Sequence, residues 1–214
     1  MIGPVESLTL STASEDPPTG ASRLVADDQR VERFEASDGR RIYRLPLEVF
    51  PGFFGNAYLV LGGAAPILVD TGSGQAASNK GLVEGFATIA ERWNERIGFG
   101  DLGHVILTHG HIDHFGGISR LRRESDAPIA IHALDRRVVD GYRERVAVAR
   151  RHVDLFFHGA GVEDDRRSRY MDLYHRTMAL FRGGAIDEVF EAGPLLDGEL
   201  EAIHVPGHCP GQVC

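Results

Sequence analysis

Lysine is almost missing from this 214-residue chain: Lys80 is the only one, so all but one of the 23 basic side chains are arginine. Against them stand 31 acidic residues, for a formal net charge of -8. That balance lacks the dense basic surface by which a phosphate backbone is held, and it argues against nucleic acid as a partner. Cysteine is equally scarce. Cys209 and Cys214 lack the C-x-x-C spacing of a redox or zinc-knuckle motif and sit too close together to staple a fold, so reduced thiols and a cytoplasmic location are expected. Cys209 itself reads as a neutral loop residue. No apolar run approaches the roughly 20 residues that span a bilayer, and the first residues lack a basic segment followed by an apolar core. Neither a membrane partner nor export through such a signal is expected. The remaining composition, 43% hydrophobic and 25% charged, is that of a globular domain with one sizeable core.

Residues 1–29, rich in Ser, Thr, Pro, Asp and Ala without periodicity, read as a mobile tail, leaving one domain over 30–214. Short strands are expected at Val31–Phe34, Arg41–Leu45, Ala57–Leu61, Pro66–Val69, Gly103–Leu107 and Pro128–His132. Between Leu45 and Asn56 the density of Pro and Gly suggests a loop carrying Phe53 and Phe54. Leu82, Phe86, Ile89, Ala90, Trp93 and Ile97 make one face of a helix over 79–97, which places Trp93 in the core. From about 134 to 182 the pattern changes to two long helical stretches broken at Gly159-Ala160-Gly161, an inserted pair whose Tyr142, Tyr170, Tyr174 and His175 are candidates to line a pocket. Further strands are expected at Glu188–Phe190 and Glu199–His204.

The most informative stretch is Thr108-His109-Gly110-His111-Ile112-Asp113-His114-Phe115-Gly116-Gly117, with three histidines and an aspartate within six residues. Neutral imidazoles and carboxylates are the ligands that zinc and other borderline divalent ions select. The apolar, β-branched run before it reads as a buried strand, so the cluster falls at a strand end. In an extended segment His109 and His111 project to one side. Asp113 and His114 then open a helix expected from Phe115 to about Glu124. His132 and His204 read as structural histidines.

This segment resembles the metal-binding motif of the metallo-β-lactamase superfamily. Val69-Asp70-Thr71-Gly72 is similar to its early strand-end aspartate motif, and Val205-Pro206-Gly207-His208-Cys209-Pro210-Gly211 to its third-histidine motif, with order and separation in agreement over about residues 30–214. The resemblance implies an α+β, four-layer αββα sandwich. Metal ligands would be His109, His111, Asp113, His114 and His208, with Asp70 behind them to orient them, Phe53 and Phe54 on an apolar rim, and Asp113 also acting catalytically as a proton carrier. Zinc is the implied cofactor, binuclear in a complete protein, with iron or manganese also compatible with the ligand set. The family's bridging aspartate and last histidine have no counterpart before Cys214. The second half is thus expected to be incomplete, the chain to hold about one zinc with little activity, and its uncovered sheet to favour association into a homo-oligomer.

Within that superfamily the paired motifs His-x-His-x-Asp-His and Pro-Gly-His-x-Pro-Gly look most like the glyoxalase II-like hydrolases, which act on small acyl compounds through a metal-bound hydroxide. Thioesters, lactones and other esters are the implied substrates. Two alternatives stand beside that reading: an iron-dependent oxidoreductase of the persulfide dioxygenase type on the same scaffold, and a non-catalytic fragment.

Overall fold

The computed structural model describes residues 29–214. All but the last residue of the tail expected over 1–29 therefore lies outside the described residues. Seven strands form one sheet in the order of the sequence: β1 (Glu32–Glu35), β2 (Arg41–Phe50), β3 (Phe53–Leu61), β4 (Ile67–Val69), β5 (His104–Leu107), β6 (Ile129–His132) and β7 (Glu188–Phe190). Pairing is antiparallel from β1 to β4 and parallel from β4 to β7. A separate antiparallel ladder joins β8 (Gly193–Leu195) to β9 (Leu200–Ala202). The helices are α1 (Ala76–Trp93), the short α2 (Ile112–Phe115) and α3 (Ile118–Leu121), then α4 (Arg136–Asp140), α5 (Tyr142–Gly159) and α6 (Asp164–Met178).

Strand residues alternate between two apolar layers because successive side chains of a strand point to opposite faces. Leu59, Leu61, Leu68, Val105, Leu107, Ile129 and Ile131 join Leu82, Phe86 and Ile89 of α1 in the main core. Val60, Ile67, Ile106 and Ala130 face the other way, where Leu196 and Leu200 of the β8–β9 segment pack against them. Burying each large side chain of α1 contributes about 1.5–3 kcal/mol. Gly85 lets that helix lie close to β2, since a Cβ there would come within 2.7 Å of Leu45 Cδ2. Trp93 meets the Tyr43 ring edge-on at 5.3 Å. The helix stops there, four residues before the expected end, because Asn94 turns left-handed at φ 56.

The stretch from Leu45 to Asn56 is a hairpin rather than a loop. Tyr43, Leu45, Leu47 and Val49 keep the period-2 burial of a strand straight through Pro46. Proline is tolerated there because β1 pairs only with Arg41–Arg44, so that among the described residues one edge of β2 has no strand partner beyond Arg44. Pro51 and Gly52, the latter at φ 77, make the turn. The helical segment over 134–182 has a topological reason. Strands β6 and β7 are parallel neighbours, and parallel neighbours require a crossover of a dozen or more residues. Helices α4 to α6 are that crossover.

Candidate metal centre

Asp70 and the ligand candidates of the second motif follow the ends of the adjacent strands β4 and β5, whereas His208 comes from the loop after β9. Because β4 and β5 run parallel with Val69 opposite Ile106, Asp70 and Thr108 emerge side by side at the strand ends. Asp70 is buried and adopts φ 63, a left-handed conformation that aspartate tolerates better than most residues. That turn swings its carboxylate toward the histidines. Oδ1 accepts the Thr108 N–H at 2.8 Å; Oδ2 accepts the Thr108 hydroxyl at 2.8 Å and lies 2.7 Å from His114 Nδ1.

Next, bare backbone fixes the distance between the Asp70 loop and the histidine loop. Thr71 donates from both N–H and Oγ1 to the His114 carbonyl, at 2.7 and 2.9 Å, and the Gly117 N–H donates to the Gly72 carbonyl at 3.0 Å. A Cβ on Gly116 would overlap the Ser73 carbonyl oxygen, and one on Gly117 the Thr71 carbonyl oxygen. The same two glycines divide the helix expected over 115–124 into α2 and α3. Asp113 and His114 therefore sit in the four-residue α2, which His111 opens, rather than ahead of a longer helix.

These contacts set the proton positions on the rings. Thr108 Oγ1 gives its hydrogen to Asp70, so at 3.0 Å it accepts from His109 Nδ1, leaving the lone pair on His109 Nε2. His109 Nε2 is buried and has no partner among the described residues. An unpartnered buried acceptor costs about 1–3 kcal/mol unless something binds it, which is what a metal ligand awaiting its ion presents. Asp70 likewise takes the His114 Nδ1 proton, and His114 Nε2 lies 3.6 Å from an Asp113 carboxylate oxygen. His111 Nδ1 meets His208 Nε2 at 2.7 Å. The four rings form one cluster, with His109 centred 4.9 Å from His111, 4.0 Å from His114 and 5.1 Å from His208.

Electrostatics favour neutral imidazoles at His109 and His111. Burial first, then the neighbouring His114 and His111, pull His109 down to about 4. Burial and His208 lower His111 as well. For His114 burial also acts downward, but the hydrogen bond and charge of Asp70 outweigh it, with help from Asp113, and its pKa is raised. Borderline divalent metals suit this donor set of imidazoles and one carboxylate, so the residues present fit such an ion.

Cys209 and Asp135 also belong to this centre, and the reading of the sequence missed both. Cys209 is buried, with Sγ 3.4 Å from His111 Nε2. Burial, followed by Asp135, pushes its thiol up to about 11. Asp135, just 1% exposed, accepts the Gly110 N–H through Oδ2 and the Gly211 N–H through Oδ1, both at 2.8 Å. It thus ties the second-motif loop to the third-motif loop. His132 and His204 stack at 4.6 Å and hold the approach to His208 against β6. In sequence, Asp135 looks like the start of a helix, and nothing in its spacing points to glycines 25 residues before it and 76 after it.

The pocket candidates fare unevenly. Because Tyr58 pairs with Val69, residues 53–57 run past the end of β4 on the ligand-bearing edge, and Phe53 and Phe54 stand 70% and 48% exposed near the hairpin tip. They are not core residues. Tyr142 is one: it is buried, its ring meets Phe115 edge-on at 5.7 Å, and its hydroxyl reaches the Met178 carbonyl at 3.5 Å. The expectation that Tyr142 lines a pocket gives way to core packing beneath α2. Tyr170 is exposed and meets the ring of Phe157 at 5.6 Å, while on the same helix Tyr174 is half-buried and His175 exposed.

Fold and site together define a mixed α+β protein with a cluster of histidines and a carboxylate, a candidate metal centre, beyond the carboxyl ends of the parallel strands β4 and β5. The family model of the metallo-beta-lactamase superfamily matches residues 50–214, and the chain belongs to that superfamily. The "Probable metallo-hydrolase YflN" of Bacillus subtilis (strain 168) is 27% identical over 192 residues, 84% of this chain and 60% of that protein. A metallo-beta-lactamase family protein from Thermus thermophilus superposes with a TM-score of 0.60 at 23% identity, over 80% of this chain and 54% of that one. A mutant of the FEZ-1 metallo-beta-lactamase from Legionella gormanii gives a TM-score of 0.51 at 17% identity, over 80% and 52%. The chain thus spans between half and two thirds of the length of these relatives, and the structural matches carry the metallo-beta-lactamase fold.

Proposed function

We propose that this chain carries the metal centre of a metal-dependent hydrolase of small acyl compounds: thioesters, lactones or other esters. The observation that carries the reading is the proton arrangement on the cluster. Thr108 and Asp70 hold protons on the Nδ1 atoms of His109 and His114, so that each ring keeps its lone pair on Nε2: that of His109 is buried without a partner among the described residues, and that of His114 lies 3.6 Å from Asp113. His109, His111 and His208 would hold one ion, and Asp113 and His114 would contribute to a second. A divalent cation in that set supplies Lewis acidity toward an acyl carbonyl and toward the attacking water.

Around that chemistry the residues have separate tasks. Asp113 is the one ligand candidate with a carboxylate, and it is suited to take the proton of the attacking water and deliver it to the leaving oxygen or sulfur. Asp70 holds His114, and Asp135 holds the two loops in register. Phe53 and Phe54 offer an apolar rim to an acyl chain. The printed name of the B. subtilis relative, a probable metallo-hydrolase, supports the reaction class.

The test is elemental analysis by mass spectrometry after anaerobic purification, together with a panel of thioester, lactone and ester substrates. His208→Ala should lose most of the metal, and Asp113→Asn should lose less metal but most of the turnover. Zinc retained at the parental level in His208→Ala overturns the ligand assignment. Iron as the single metal, with oxygen uptake on a persulfide and no hydrolysis, overturns the reaction class in favour of the oxidoreductase.

A further inference from the structure

We propose that Cys209 is a positioning residue of the metal centre, its sulfur taking the outward N–H of His111 so that the inward nitrogen keeps its lone pair for the ion. This rests on reading His109, His111 and His208 as ligands of one metal. A histidine that binds a metal through one nitrogen needs a partner on the other, because that partner fixes the tautomer and the ring's orientation. For His109 the partner is Thr108 Oγ1, and for His114 it is Asp70 Oδ2. The inward nitrogen of His111 is Nδ1, which faces His208 Nε2 at 2.7 Å. Its outward nitrogen, Nε2, has Cys209 Sγ at 3.4 Å, within ordinary reach of a sulfur acceptor.

The loop around Cys209 is built to hold that sulfur still. The Cys209 carbonyl accepts the N–H groups of both Gly207 and Gln212, at 3.4 Å each. Two residues on, the Gly211 N–H is anchored on Asp135, whose other oxygen anchors Gly110, the residue before His111. One carboxylate therefore fixes both the ring and its sulfur partner. A competing arrangement exists on the same atoms. The sulfur and one nitrogen from each of His109 and His111 all lie within 4.8 Å of one another, so direct ligation of an ion by Cys209 is the alternative that the experiment must separate.

The experiment compares the 214-residue parent with Cys209→Ala and Cys209→Ser, measuring zinc affinity by competition with a chromophoric chelator and recording the absorption spectra of the cobalt(II)-loaded proteins. A thiol sulfur is a weak acceptor, so Cys209→Ala should bind zinc about tenfold more weakly, at the low end of the 10–100-fold typical of such partners. Cys209→Ser, whose hydroxyl can still accept, should recover part of that loss. The cobalt spectrum of the parent should show no thiolate-to-cobalt charge-transfer band in the near ultraviolet. Unchanged affinity in Cys209→Ala overturns the positioning role while leaving the metal centre intact. A charge-transfer band in the parent that vanishes in Cys209→Ser overturns it in favour of direct ligation. A parent that takes up no zinc or cobalt overturns the metal centre itself, and the role of Cys209 with it.

Discussion

Replacing Asp70 by Asn changes no volume and removes one charge, yet the hydrogen-bond geometry predicts a large effect. The carboxylate accepts three hydrogens, two from Thr108 and one from His114 Nδ1. If the Asn oxygen keeps the Thr108 N–H, its amide group must face the Thr108 hydroxyl and His114 Nδ1, both of which are donors. The hydroxyl can turn round and accept from the amide, but it then exchanges a bond to a carboxylate for a weaker neutral one. His114 can move its proton to Nε2, but that nitrogen then no longer offers a lone pair beside Asp113. Hydrogen bonds to a charged group contribute about 1.5–3 kcal/mol each, so losing two costs about 3–6 kcal/mol. A domain of ordinary stability has about 5–15 kcal/mol in all. The pH dependence has a definite sign. His114 has a raised pKa in the folded state, so its contribution is fully present below the unfolded value near 6.5 and is lost as pH rises through the folded value. The deficit of Asp70→Asn in the metal-free protein should therefore be larger at about pH 5.5, below the unfolded value, than at about pH 8.5, well above it. Urea denaturation at the two pH values and a zinc titration at neutral pH measure both effects. A variant within about 1 kcal/mol of the parent at both, with parental zinc affinity, refutes the reasoning.

Asp135→Ala should leave the Gly110 and Gly211 N–H groups unpaired at about 1–3 kcal/mol each, and should weaken zinc binding although Asp135 is not among the proposed ligands. Parental zinc affinity in that variant would show that the two loops need no tie. Gly117→Ala drives a Cβ into the Thr71 carbonyl and should cost about 1–3 kcal/mol or more in a thermal melt, whereas Gly207→Ala, which meets no atom within 4 Å, should be nearly neutral. Equal melts for the two would contradict the close approach. His109 titrates in the opposite sense to His114: with its folded value lowered to about 4, its contribution is present above about 6.5 and is lost as pH falls toward 4. A shift of that size corresponds to roughly 3 kcal/mol, so the metal-free protein should lose stability on acidification and His109→Gln should lose less. Identical acid profiles would place the effect elsewhere.

Much of this centre was legible because its donors lie close together in sequence. His109, His111, Asp113 and His114 are neighbours on the chain as well as in space, and the strand before them announces itself by its β-branched run. His208 was reached by resemblance and falls on the same cluster. Asp135 and Cys209 escaped because their partners are distant in sequence, and a carboxylate that binds two backbone N–H groups leaves no side-chain pattern to find. The hairpin over 41–61 was misread for a different reason: Pro46 signals a break in isolation, and only the short reach of β1 along β2 makes it harmless. Tyr142 looked like a pocket residue because helical spacing cannot tell which of two apolar surroundings a face meets.

The contact of Gly116 and Gly117 with the carbonyls of Ser73 and Thr71 gives the centre one stiff wall. On that side the distance from Asp70 to the histidine loop is set largely by backbone atoms, which have no side-chain rotamers to change. His208 stands opposite, exposed on a loop between Pro206 and Pro210. An ion of different radius would therefore meet less resistance from the exposed His208 side chain, which has rotamers to change, than from that wall. Selectivity among metals, on this scaffold, becomes a question of the surroundings of that one ring, to be tuned at Pro206 and Gly207 rather than among the histidines of the second motif.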